Sequence, residues 1–439
     1  MIRKLGLFST TNIVVANMIG AGIFTTSGLL LADLGSPVLM LALWVAGGFL
    51  ALMGALCYGE LGAAMPRAGG EYAFLSQLYH PMAGFLSGWI SFIVGFSAPV
   101  AASAIGFSAY LQAAWPSLFQ TGFVGEVVMQ KFFSILIILI FSAIHLRGIS
   151  FGAKVQNVLT LFKIIIIAGL IMAGFAWGDG NPDHFRQGTT PVNFDWSGWK
   201  TIGLSLMWIT FAYSGWNAST YIGAEIKKPE WTLPRSLVLG TGIVSVLYLF
   251  INMLFVWSTP PEALSGVVSV GDVAVSNLFG RSMGDVVSVM ITVALLSSIS
   301  AFIILGPRVY YAMAVDGYFF RFAARLHPKS QAPVWSIVMQ AGISIVIILS
   351  GTLDQVLTYM GFSLGIFPLL TIAGLFKLRA SGKSKIRLPG FPFTAVIYLI
   401  IGLGILLLSF FERPVESSVA IGTVVLGVPF YFLFRKSKG

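Results

Sequence analysis

Twelve apolar runs of roughly 20 residues, nearly free of charge, follow one another along this 439-residue chain, cut apart by most of its few charges. A hydrocarbon core of roughly 30 Å takes about 20 residues of helix to cross, so a chain built of such runs is a multi-span membrane protein. The spans fall at approximately 8–32, 38–60, 82–112, 129–146, 155–177, 201–224, 236–258, 285–313, 333–352, 355–376, 391–411 and 417–434. The first follows Arg3 and Lys4, as a signal peptide would, but runs uncharged from Leu5 to Ala32, too long for a cleavable segment. Span 4 carries Lys131 near its start, where a lysine reaches back to the interface. Composition closes the soluble alternative. Only 10% of the residues are charged and 57% are hydrophobic, whereas a surface in water takes roughly a quarter charged residues.

The charge balance, 26 basic against 16 acidic, would suggest nucleic acid if it were spread at random. It is not. With the N-terminus inside, the inner loops gather Arg3, Lys4, Arg67, Arg147, Lys154, Lys227, Lys228, Arg235, Arg321, Arg325, Lys329 and the basic run from Lys377 to Arg387, followed by the basic C-terminal end. The outer loops keep Lys131, Arg186, Lys200, Arg281 and Arg413. This asymmetry expects both termini in the cytoplasm, and it removes the need for a nucleic-acid partner. The partner expected instead is the lipid bilayer. The longest outer connections, 178–200 and 259–284, are too short for a catalytic domain, so the chain is not expected to be an enzyme. His80, His145, His184 and His327 share no metal-like spacing, and Cys57 stands alone. No metal, cofactor or disulfide is expected.

Two spans carry glycines and polar residues at mid-depth. Span 1 contains Ile19-Gly20-Ala21-Gly22-Ile23-Phe24, and span 6 contains Phe211-Ala212-Tyr213-Ser214-Gly215-Trp216-Asn217. Any one glycine is most simply a packing residue. Spans 1 and 6, however, open two groups of five, 1–5 and 6–10, and five being odd, the second group inserts upside down. Interruptions at corresponding places in two halves point to a transporter binding site. The chemistry fits a zwitterion. Free N–H groups near Ala21 and Gly22 suit a carboxylate, and free carbonyls near Phe211, Ala212 and Ser214 suit an ammonium.

These stretches, with Tyr58-Gly59-Glu60-Leu61, Pro66-Arg67-Ala68-Gly69-Gly70-Glu71-Tyr72 and the segment from Glu225 through Pro229 to Pro234-Arg235, resemble the amino acid–polyamine–organocation superfamily, nearest its L-type amino acid transporter-like branch. The resemblance implies an all-α, LeuT-like fold with broken helices 1 and 6. Its inverted repeats would cover approximately 8–178 and 200–376, with two peripheral helices at 391–434, in a single transporter unit over 1–439. It implies alternating access, with an amino acid held by Met18, Ile19, Gly20, Ala21, Gly22, Phe211, Ala212, Ser214, Gly215, Asn217 and Phe302. Phe211 resembles the aromatic gate of that family, and Asn217 is expected to cap the second half-helix or bond the substrate. Ser97, Ala98 and Pro99 of span 3 are expected to line the pocket or to pack.

Lys163 lies nine residues beyond Lys154, roughly 14 Å deep at 1.5 Å per residue, where an ionisable group is a functional candidate. In the family this position sits where sodium-coupled relatives hold sodium. Its ammonium would bridge carbonyls near Gly20 to a span 8 hydroxyl, from Ser297, Ser298 or Ser300, with Ser298 favoured. Sodium-independent transport follows. Glu60 and Glu225 end spans 2 and 6 and are expected to pair with Arg67, Arg235 or Arg308 as an inner gate. Two departures stand out. Ala21 replaces a serine common in L-type relatives, and the loop at 113–128 lacks the cysteine that attaches a heavy chain. A single-chain carrier, a monomer in the bacterial inner membrane, is expected. Every acidic residue maps to a loop or a helix end, so the substrate is expected to be a small to medium neutral amino acid, carried by exchange or proton symport. A cationic amino acid or polyamine carrier is the alternative on the same fold, and a channel, lacking any polar stripe, the distant one.

Overall fold

The computed structural model describes residues 3–120, 125–188, 193–267, 269–350, 353–384 and 386–436. The first span is interrupted, as α1 (Leu7–Met18) and α2 (Ala21–Leu34), and α3 (Pro37–Ala64) follows. A short α4 (Glu71–Leu78) leads into α5 (Pro81–Ile90), a π-helical turn (Ser91–Gly95) and α6 (Ser97–Ala114). Then come α7 (Glu126–Leu146), α8 (Ile149–Trp177), α9 (Trp196–Ala212) and α10 (Pro229–Ser258). The short α11 (Pro261–Leu264) and α12 (Val270–Phe279) precede α13 (Arg281–Val315), α14 (Val334–Ser350), α15 (Leu353–Ala380), α16 (Phe393–Glu412) and α17 (Pro414–Lys436). Among the described residues the only β pairing is two isolated bridges, Leu5 with Ile226 and Ala68 with Ile222.

Ten of these helical stretches are long and apolar enough to cross a membrane, counting α1 with α2 and α5 with α6. The other two expected spans are shorter. The helix α9 stops after 17 residues at its interruption, and α14 has 17. Helices also begin earlier than their charges suggest. Pro229, Glu230 and Arg235 all lie in the first turns of α10, because a helix end at the interface tolerates charge. Local chemistry sets several starts. Ser36 accepts from the N–H of Leu39 at 3.3 Å with Pro37 next in line, and Asp195 accepts from Gly198 at 2.8 Å.

The outer surface is apolar. On α8, Val158, Ile165 and Met172 recur every seven residues and are more than half exposed, a stripe suited to lipid. Exposed Trp177, Phe194, Trp196, Trp199 and Phe411 gather at one end of the bundle, and Trp231, Trp335 and Phe393 at the other. Two such belts mark the two interfaces of a bilayer. The interior is held by α1, α2 and α13, with α3 packed along α10 and α6 along α13. The sequence reading put span 11 at the periphery. In the structure α16 also packs on α3, α9 and α15, and it lends Tyr398, Gly402, Ile405 and Leu406 to the central cavity. At the end opposite the Trp177 belt, Lys4 and Leu5 N–H donate to the Glu225 carbonyl at 2.8 and 3.0 Å, and Lys227 N–H donates to Leu5 at 2.8 Å.

Candidate substrate-binding site

Both interruptions expected from the glycines are present. The helix α1 ends at Met18, Ile19 is extended (φ −77°, ψ 94°), and α2 begins after Gly20 with no side chain capping it. The helix α9 ends at Ala212, and the chain turns through Gly215 at φ +97° before two short 3-10 turns, Ala218–Tyr221 and Gly223–Glu225. Glycine is required there. A Cβ on Gly215 would lie 2.7 Å from Asn17 Cβ, in a conformation side chains rarely adopt. Gly22 is where the two helices touch, since its Cβ would sit 3.0 Å from Ala212 Cα and Cβ.

A cavity of about 30 Å³ lies between the interruptions, lined by Met18, Gly20, Gly22, Ala102, Ser103 and Ala212. A larger one of about 120 Å³ adjoins it and takes in Gly215, Asn217, Trp216, Tyr221 and Glu71. Asn17, Pro99, Phe211, Ser214 and Phe302 line both. The smaller chamber has room for about one or two waters. The side chain of Ala21, residues 121–124 of the loop at 113–128, and Lys385 lie outside the described residues.

Lys163 is 1% exposed and donates to the Ile19 carbonyl at 2.5 Å, Ser298 Oγ at 2.9 Å and the Ala16 carbonyl at 3.4 Å. Ser298 itself donates to the Ile19 carbonyl at 2.8 Å. All three ammonium protons thus meet oxygens, which lowers the cost of a buried charge. Two other candidates turn elsewhere. Ser297 bonds Gln156 Nε2 at 2.9 Å, and Ser300 faces His145 at 2.9 Å, because neighbouring residues on a helix point about 100° apart. Ile19, expected among the substrate-contacting residues, lines neither cavity. Its carbonyl is occupied and its side chain is fully buried.

Tyr248, absent from the sequence reading, donates toward the carbonyls of both Met18 (2.5 Å) and Ala212 (3.1 Å), tying the two interruptions together. A tyrosine near the middle of span 7 was its available signal. The Phe211 carbonyl accepts from Ser214 N–H at 2.8 Å. In span 3, Ser97 back-bonds to Phe92 at 2.8 Å and Ala98 is packed, leaving Pro99 to line the cavity.

The expected gate pairs divide. Glu225 meets Arg308 at 3.0 Å, both side chains 4% exposed. Glu60 pairs with none of the expected arginines. It takes Arg379 through two bonds of 2.7 and 2.6 Å, with Ser384 and the Leu388 N–H completing its shell. Arg67 instead holds Asp316 at 3.2 Å, and Arg235 stacks on Trp231. Arg379, in the last turn of α15, takes their place, and Ser384 and Leu388 of the loop that follows close on Glu60 beside it. Glu71 also departs from expectation. It begins α4, yet it is 6% exposed and faces the larger cavity.

A bundle of membrane-spanning helices in which two interrupted helices converge on one cavity defines a membrane transporter. The family model described as Amino acid permease matches residues 5–433, and the chain belongs to that family. It is 27% identical to the human large neutral amino acids transporter small subunit 2, over 98% of this chain and 80% of that protein. It is 29% identical to the mouse b(0,+)-type amino acid transporter 1, over 98% and 88%. The serine/threonine exchanger SteT of Bacillus subtilis (strain 168) is 29% identical over 99% of this chain and 98% of its own length.

Proposed function

We propose that this amino acid permease is a sodium-independent carrier of small to medium neutral L-amino acids in the plasma membrane, working by alternating access as an exchanger or proton symporter. The observation that carries the reading is Lys163. Its ammonium lies among the Ala16 and Ile19 carbonyls and the Ser298 hydroxyl, a ring of oxygens of the kind a sodium ion would take. A fixed cation there removes the need for a dissolved one. The α-carboxylate would sit at the uncapped start of α2, by Gly20 and Gly22, and the α-ammonium by the Ala212 and Ser214 carbonyls, with Met18, Gly215, Asn217 and Phe302 around them. The smaller chamber carries no charged side chain, and Pro99, Ala102, Ser103, Phe211 and Phe302 suit an apolar or hydroxylated substrate.

The LeuT-like arrangement of twelve spans belongs to this reading. Its support is that α3 lies along α10 and α6 along α13, pairing span 2 with 7 and span 3 with 8, as two inverted halves would. Both termini would be cytoplasmic, and Glu60 and Glu225 would help close that side. The large neutral amino acid and serine/threonine carriers among the relatives favour the same substrate class. The reading includes a chain that works alone, as a monomer with no disulfide-linked heavy chain, since its loop at 113–128 lacks cysteine. A cationic amino acid or polyamine carrier is the second reading, and Glu71 on the larger cavity favours it. Purified protein in proteoliposomes separates the two. Labelled leucine or serine uptake should be unchanged when choline replaces sodium, and inhibited by neutral amino acids more than by arginine, putrescine or glutamate. A sodium requirement removes the Lys163 assignment, and dominant inhibition by arginine or putrescine promotes the second reading.

A further inference from the structure

Gly69 and Gly70, at φ +106° and +52°, turn the chain so that Glu71 enters the bundle instead of the interface. A Cβ on Gly70 would lie 2.4 Å from the Tyr221 ring, so the turn is pressed against the 3-10 segment that follows the α9 interruption. Gly69 N–H donates to the Tyr221 carbonyl at 3.0 Å. Glu71 Oε1 then accepts from Tyr58 O–H at 2.8 Å and Asn217 Nδ2 at 2.8 Å, and Oε2 from Ser87 at 3.4 Å. Its carboxylate is thus held by neutral donors alone. Among the described residues the other two buried carboxylates with comparable exposure, Glu60 and Glu225, each have an arginine, and Glu71 has none. The nearby arginines are engaged elsewhere, Arg67 with Asp316 and Arg379 with Glu60.

A buried carboxylate without a cation is costly as an anion, and protonation is the cheapest relief. Glu71 also meets the two conditions of a proton site. It faces a cavity from which a proton can arrive, and through Asn217, two residues past Gly215, it bonds the non-helical segment that follows α9. The titratable groups facing it are Tyr58 on α3, Tyr221 on the 3-10 turn and, across the cavity, Tyr398 on α16. Asn217 and Ser87 are the neutral ones.

We propose that Glu71 is a proton-binding site of this carrier, loaded from the larger cavity and emptied once per transport cycle. The proton joins one carboxylate oxygen and no other covalent bond changes. The neutral carboxyl has one fewer acceptor oxygen and gains a donor, so the hold on Asn217 loosens and the α9 interruption is released from α4. A cation substrate is the poorer fit, because the carboxylate oxygens already accept three hydrogen bonds.

The inference rests on the amino acid carrier reading, and the test keeps the two apart. Counterflow of labelled leucine or serine in wild-type proteoliposomes at equal pH examines the carrier reading; absence of counterflow for any amino acid rejects it. Net uptake into amino-acid-free vesicles is then followed as pH on each side is varied separately from about 5.5 to 8, a range that brackets a burial-shifted carboxyl. Wild-type uptake should change severalfold. Glu71→Gln, folded by size-exclusion chromatography, should give a flat profile whatever its level, and Glu71→Asp a profile displaced along the pH axis. A flat wild-type profile, or a Glu71→Gln profile with the wild-type slope, overturns the proposal and in the latter case moves the proton to another group such as Lys163. Should the Gln protein not fold, an Asp profile superimposed on wild type overturns it equally.

Discussion

Between α1 and α2 the chain leaves the helix only at Ile19 and Gly20 and resumes at once, whereas after α9 it leaves at Tyr213 and regains no more than 3-10 turns. The first interruption is clamped by side chains. Lys163 and Ser298 hold the Ile19 carbonyl, and Tyr248 holds that of Met18. The second is held by its backbone conformation at Gly215, by Tyr248 at its start and by the Asn217–Glu71 contact at its end. The difference teaches that equivalent breaks in two halves need not be equivalent in stiffness. The first break is tied by a buried cation to two other helices, whereas around Gly215 and Asn217 the second has no cation on it and meets the Glu71 carboxylate through a neutral amide.

The harshest way to break this comparison is at Gly215. In Gly215→Ala the new methyl meets the Asn17 backbone at 2.8 Å, at a φ of +97°, where an L residue costs at least about 1–2 kcal/mol before any overlap. Uptake should fall beyond detection, with loss of folded protein measured by size-exclusion yield. A folded, active variant would mean that the second break does not close as described.

Lys163→Met comes next. Its charged hydrogen bonds are worth about 1.5–3 kcal/mol each, so uptake should drop at least about tenfold. Thermal stability in detergent should hold or rise, because an apolar chain of similar length no longer desolvates a charge. A parallel fall in melting temperature would mean that the loss of uptake comes from lost stability and not from a role of Lys163 in the cycle. The finest test lies within the first break. Gly22→Ala brings a methyl to 3.0 Å from Ala212 and should cost folded yield as well as uptake, while Gly20→Ala, with nothing nearer than Ser298 Oγ at 4.0 Å, should keep wild-type yield and lose uptake only through the methyl it adds to the proposed carboxylate pocket. Equal losses of yield at both would show that steric room does not govern this segment.

The membrane spans were legible because charge is excluded from hydrocarbon, and both interruptions because Gly20, Gly22 and Gly215 stand at mid-span. Span starts were read late. Arg235 looked like the boundary of its helix, although Pro229 begins it, since a first turn at the interface keeps its charges in water. Lys163 was legible from depth alone. What depth could not supply was partner choice. Ser298 rather than Ser297 depends on helix rotation, Arg379 rather than Arg67 depends on how a loop refolds over Glu60, and the burial of Glu71 depends on two glycines turning the chain inward. Tyr248 needed the convergence of three helices to become visible.

The pairing of Leu5 with the residues around Glu225 has a mechanical meaning. A carrier that opened to both sides at once would be a leak, so the ends of its two discontinuous helices on one side of the bundle must keep step. Three backbone hydrogen bonds join the chain just before α1 to the end of the α9 continuation, and the Glu225–Arg308 pair fastens that joint to α13. The stitch removes one independent motion from the bundle. It makes Lys4 and Leu5 part of the same joint, and a change there is felt by the segment that continues α9.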